Sequence, residues 1–134
     1  MLSFQATVES CRDVVASDSD RIISIVKTLP CVQGELANLR LALLEALANA
    51  VIHGNREDPS KKVGICAGCS GRGQLLIAVT DEGCGFDPAA LPDPTADENI
   101  GSTHGRGVFL MRCLADDVQF NLRGRHVVLR KRMC

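Results

Sequence analysis

Glu45, Asn49 and His53 recur at every fourth position of a stretch that is otherwise almost wholly apolar. Residues four apart share one face of an α-helix, so a carboxylate, an amide and an imidazole form a single polar stripe. Around them Leu39, Leu41, Leu43, Leu44, Leu47, Val51 and Ile52, with alanines between, cover most of the circumference of a helix expected from about Gly34 to His53. A helix apolar nearly all round is a buried helix. An unpaired buried amide costs about 1–3 kcal/mol and an unpaired carboxylate more. The stripe therefore needs partners: other side chains in a core network, water, or a ligand with its metal.

Two glycine motifs follow. Asp81 ends the apolar run Leu75–Val79 and precedes Gly83 and Gly85. Glycine lets the backbone approach a flat ligand closely, and a carboxylate at a strand end can accept from an exocyclic amine. The plainer reading is a tight turn with an Asx cap. The pattern is not a dinucleotide fingerprint, because Pro88 stands where a helix opening on a third glycine is needed. No Gly-Lys-Ser/Thr of a P-loop occurs. Further on, Gly105-Arg106-Gly107 opens an amphipathic segment, Val108 to Leu114. Free N–H groups and the positive end of a helix dipole there suit an anion, and Arg106 can add a charge-assisted contact. A helix with a glycine-rich start is the plain alternative.

The elements that hold these motifs are expected as follows. Residues 2–8 alternate as a strand. Ser17, with Asp20 three residues on, marks a helix start, and Ile22, Ile25, Val26 and Leu29 share its apolar face. Gly54-Asn55 stops the long helix. Val63 to Cys69 and Gln74 to Thr80 read as strands joined by a Gly-rich turn, the second apolar enough to be central. Residues 87–104 are rich in Pro, Asp, Gly and Ser without periodicity, as lids and binding loops are. Val118–Leu122 and Val127–Leu129 close the chain as a hairpin. The expectation is an α+β two-layer sandwich in one domain, 1–134: a mixed sheet with helices on one face.

Composition narrows the function classes. The formal net charge of −1 argues against a general nucleic-acid binder. No apolar run of about 18 residues crosses a membrane, and Met1-Leu-Ser-Phe-Gln lacks the charged and apolar regions of a signal peptide. Seven cysteines, an odd number at scattered positions, suggest reduced thiols in a cytoplasm. Cys66 and Cys69 form a lone CxxC that runs into a turn. A structural zinc site usually needs a second pair, so metal or redox use of this one is the lesser reading.

In their order along the chain, Glu45-x-x-x-Asn49-Ala50-x-x-His53-Gly54, Asp81-x-Gly83-x-Gly85-Phe86-Asp87 and Gly105-Arg106-Gly107-Val108 resemble the N, G1 and G2 boxes of the GHKL ATPases, the group of gyrase and histidine kinases. They look most like the anti-sigma-factor serine kinases of the RsbW and SpoIIAB type. The resemblance implies a Bergerat-type ATP-binding fold with ATP and Mg²⁺ as cofactors. It implies that Glu45 is the general base, that Asn49 holds Mg²⁺ with phosphates and water, and that Asp81 accepts from adenine. It further implies that Gly83 and Gly85 shape the adenine pocket, that Gly105, Arg106, Gly107 and Val108 cradle phosphates, and that 87–104 closes as a lid. His53 would lie near the phosphates or brace the helix end. Cys84, and Val127-Val128 where relatives often carry a Thr, depart from the family pattern. The implied partners are a sigma factor or other regulator, a small anti-anti-sigma-type protein phosphorylated on serine, and a second copy of the chain, with residues 2–8 as a plausible contact edge. The competing function is a nucleotide-gated protein-binding module without phosphotransfer.

Overall fold

Two alternating runs build the middle of the sheet. The structure, a computed structural model, describes residues 3–34, 36–83, 104–121 and 125–133, with backbone only for 104–108. Strands β2 (Lys62–Cys69) and β3 (Gln74–Thr80) turn Val63, Ile65, Ala67, Leu75, Ile77 and Val79 inward, all buried, and leave Lys62 and Cys66 exposed on the other side. This is the period of two of a pleated strand with one covered face. β1 (Ser3–Glu9), β4 (Asp117–Asn121) and β5 (His126–Arg132) complete five strands in the order β1-β2-β3-β5-β4. Ala6, Ile65, Val79, Val127 and Phe120 stand opposite one another across all five, a row that fixes the register. β3 is the central strand, as its apolar run demands.

Among the described residues, three α-helices cover the inner face. α2 (Ala37–Ala48) lies between α1 (Val15–Val26) and α3 (His104–Leu114) and packs against both. Leu39, Leu43 and Leu47 of α2 are fully buried, together with Ile22 and Val26 of α1 and Met111 of α3. Leu41, at 41% exposed, marks the outer side of α2.

The two-layer α+β architecture with helices on one face is as expected, but the sheet is not mixed. Every pairing is antiparallel. Between β1 and β2 the chain makes two helices, and the odd number of reversals, β1 to α1 to α2 to β2, returns it antiparallel. β3 and β4 run the same way, but β5 lies between them and separates the two parallel strands.

Local expectations shift too. α1 begins at Val15, after a short 3₁₀ turn at Arg12–Val14, so Ser17 is not its cap; the Ser17 hydroxyl donates to the Val14 carbonyl instead. Ile23 rather than Ile25 joins the buried face, and Ile25 is 40% exposed. α3 starts at His104, so Gly105, Arg106 and Gly107 form its first turn instead of preceding it. Gly85 and the expected lid, apart from His104, lie outside the described residues. A disulfide joins Cys31 to Cys69, Cα atoms 5.9 Å apart, which overturns the expectation that all thiols are reduced. Cys66 stays free and exposed. Residues three apart on a strand point to opposite faces, so Cys66 and Cys69 cannot converge on one ion. No metal-binding cluster of His, Cys, Asp and Glu occurs among the described residues. Among them, no helix is long and apolar enough to cross a membrane.

Candidate functional site

The long apolar helix does not continue as an α-helix to His53. After Ala48 it widens into a π-helical turn, Asn49–Gly54, with the Asn55 N–H reaching the Ala50 carbonyl at 2.7 Å. Such wide turns concentrate at functional sites. The turn is stopped by Arg56 and Glu57, both left-handed at φ 53° and 57°, and not by Gly54.

Gly54 has another reason to be glycine. A Cβ there would fall 2.5 Å from Asp81 Oδ2. Likewise a Cβ on Gly83 would overlap the Gly54 carbonyl oxygen. The end of the polar helix and the exit of β3 thus touch backbone to backbone, and only two glycines allow it. This contact joins the first two motifs into one corner.

Asp81 is 7% exposed in that corner. Its N–H donates to the Arg125 carbonyl at 2.8 Å, and its Oδ1 accepts the Gly83 N–H at 2.8 Å. Burial pushes the carboxyl above the usual carboxylate range, opposed by the Gly83 N–H and the charges of Arg125 and Lys61. Oδ2 takes no hydrogen bond from a described residue. A buried, fixed carboxylate with an oxygen to spare can accept from an amine.

Glu45 and Asn49 are both half-buried on α2 and the turn that follows. Among the described residues neither side chain meets a hydrogen-bonding partner. Burial alone raises the Glu45 carboxyl. A core polar network would have supplied partners, so the stripe fits a group that receives protons or a ligand. His53 is exposed, and its partial desolvation, then the nearby Arg12 charge, lowers its pKa. α3, whose first turn carries Gly105, Arg106, Gly107 and Val108, packs on α2 and on the π-helical turn, and the N–H groups of a helix's first turn have no partner within the helix. Val127 is buried in the core rather than facing a site.

The sequence offered Asn55 only as a helix stop. It is 1% exposed, and its side chain joins Ser10, Lys62 and Glu82. A polar residue between Gly54 and a charged loop carries no signal of burial. A groove of about 450 Å³ on the open face of the sheet, beside Cys66 and His126, is lined by none of the motif residues.

A family model described as the histidine kinase-like ATPase domain matches residues 6–131. The anti-sigma F factor of Heyndrickxia coagulans is 28% identical over 85% of each chain. The serine-protein kinase RsbW of Bacillus subtilis is 34% identical over 63% of this chain and 56% of its own length. A crystal structure of the RsbU and RsbW domains of a Mycobacterium tuberculosis protein superposes with a TM-score of 0.67 at 15% identity; it covers 99% of this chain, which spans one third of that longer chain (33%). That likeness supports the fold. With 126 residues matched by the model, the chain belongs to the histidine kinase-like ATPase domain family.

Proposed function

We propose that this chain is a cytoplasmic ATP-dependent serine-protein kinase. It acts as an anti-sigma factor or similar regulator and phosphorylates a serine on a small antagonist protein. The observation that carries this reading is the corner where Gly54, Asp81 and Gly83 meet, at the end of a helix bearing the unpartnered Glu45 and Asn49. The names of the two curated relatives, an anti-sigma factor and a serine-protein kinase, supply the protein-level role.

In this reading Asp81 accepts from the adenine amino group and rejects bases that present a carbonyl there. Gly83, with Gly85, forms the close wall of the adenine pocket. Gly105, Arg106, Gly107 and Val108 bind phosphate oxygens with backbone N–H groups and the Arg106 charge, and 87–104 closes over them as a lid. The half-buried Asn49 amide is a hard oxygen donor and fits Mg²⁺, which keeps few protein ligands. Bound there, Mg²⁺ would supply neutralisation of phosphate charge. Glu45 takes the proton from the attacking serine; its desolvation raises its basicity toward the working pH. His53 stands near the phosphates or braces the end of the helix. Transfer of this kind is mainly positioning and charge neutralisation. The partners would be a sigma factor or other regulator, the anti-anti-sigma-type substrate, and a second copy of the chain.

Calorimetric titration of ATP with and without Mg²⁺ tests the site. The wild type binds in an Mg²⁺-dependent way, and Asn49→Ala and Asp81→Asn do not. Glu45→Gln keeps binding and loses phosphate transfer. Wild-type protein that ignores millimolar ATP would overturn the reading, wild-type protein that binds ATP but transfers no phosphate would reduce it to a nucleotide-gated binding module, and a Glu45→Gln variant that transfers phosphate normally would remove Glu45 from the role of base.

A further inference from the structure

The Asn55 side chain makes three of its four possible hydrogen bonds inside the protein. Both Nδ2 hydrogens are used, one to Ser10 Oγ at 2.8 Å and one to the Lys62 carbonyl at 3.0 Å. Its Oδ1 accepts the Glu82 N–H at 2.7 Å. Ser10 Oγ in turn donates to the Lys61 carbonyl at 2.7 Å. One side chain thus fastens the π-helical turn to the end of β1, the start of β2 and the exit of β3.

The Glu82 bond matters most. The peptide that carries this N–H joins Asp81 to Glu82, one residue before Gly83, whose N–H returns to Asp81 Oδ1. A shift of that peptide moves both ends of the bond that aims the Asp81 carboxylate. The other end of the clamp is the backbone N–H of Asn55, which closes the turn beginning at Asn49. Aspartate could keep the acceptor but would set a carboxylate against the Lys62 carbonyl. Alanine would leave the Glu82 N–H buried and unpaired.

We propose that Asn55 is a positioning residue for base selectivity: by holding the Glu82 peptide it aims the Asp81 carboxylate at an adenine amino group and couples that aim to the helix turn bearing Asn49. The proposal rests on the nucleotide-binding reading above. Asn55 touches no substrate and acts through Asp81.

The test is calorimetric titration with ATP and with inosine triphosphate, which carries a carbonyl in place of the amino group. The wild type prefers ATP. In Asn55→Ala the preference narrows by about tenfold, the worth of a hydrogen bond to a charged group. Ser10→Ala, which leaves the Glu82 bond in place, keeps the ratio within about threefold of wild type. An Asn55→Ala variant with the wild-type ratio, or a Ser10→Ala variant that narrows it as much as Asn55→Ala does, overturns the inference and leaves the nucleotide site standing. Wild-type protein that binds neither nucleotide overturns both. Should Asn55→Ala not fold, hydrogen exchange on the intact protein decides: ATP slows exchange of the Glu82 amide more than inosine triphosphate does. Equal protection by the two, or none, overturns the inference.

Discussion

Glu45 is held half-buried with no hydrogen-bonding partner among the described residues, and this has a measurable effect on stability. Burial raises its pKa above the usual 4.5. The folded state therefore binds the proton more tightly than the unfolded chain does. Below the unfolded value the group contributes nothing to the pH dependence. As pH rises from there through the raised folded value, ionisation costs stability, and the cost is constant above. Glu45→Gln removes this loss. Thermal melts at a series of pH values should show the variant gaining on wild type across that window and holding the gain at neutral pH, while phosphate transfer is lost. Identical pH profiles for the two proteins would mean that Glu45 is solvated. On the proposed reading the same residue is both a cost to the fold and the base for the chemistry, the compromise that functional sites commonly carry.

The corner between helix and sheet depends on two elements approaching closer than any side chain permits. Gly54→Ala places a methyl group against the Asp81 carboxylate, with Gly83 immediately behind. All three atoms it would meet belong to the Asp81 carboxylate, which the Gly83 N–H holds in place, so either that hydrogen bond breaks or the two elements part. Overpacking of this kind costs about 1–3 kcal/mol. The expected outcome is a lower denaturant midpoint, read by circular dichroism, together with loss of ATP binding by the folded fraction. Much of this element structure is legible in the sequence. The alternation in β2 and β3 and the spacing of Leu39, Leu43 and Leu47 record which faces are covered. What is not legible comes from competition between equal local signals. Ile23 and Ile25 both fit an apolar stripe, and only packing against α2 selects Ile23. Ser17 suits a cap but also bonds its own helix backwards. Of the site, the polar stripe and Asp81 can be read from residue types. The Asn55 clamp cannot, because its partners lie 7, 27 and 45 residues away.

At the scale of the molecule, the Cys31–Cys69 bridge spans 38 residues and ties the α1–α2 connection to the far end of β2. That is the end of β2 remote from Asp81, since β3 returns antiparallel and Thr80 stands opposite Gly64. The bridge therefore constrains the unfolded chain without touching the candidate site. Chain-entropy reasoning gives about 4 kcal/mol for a loop of this size. Reducing the protein, or replacing both residues by serine, should lower the melting temperature while ATP affinity in the folded protein stays the same. A reduced protein that melts with the oxidised one would show that these two thiols are not joined in solution.

The bridge also makes the segment from 31 to 69 a closed covalent ring, and α2, the π-helical turn, the loop after it and β2 all lie on it. A protease cut in the loop at 56–61 opens the ring without dividing the molecule. The two pieces would migrate as one species on a non-reducing gel and separate only when the sulfurs are reduced. Such a nicked protein keeps Glu45 and Asn49 on one arm and Asp81 on the other, leashed at the opposite pole, so the halves of the site can part and meet again.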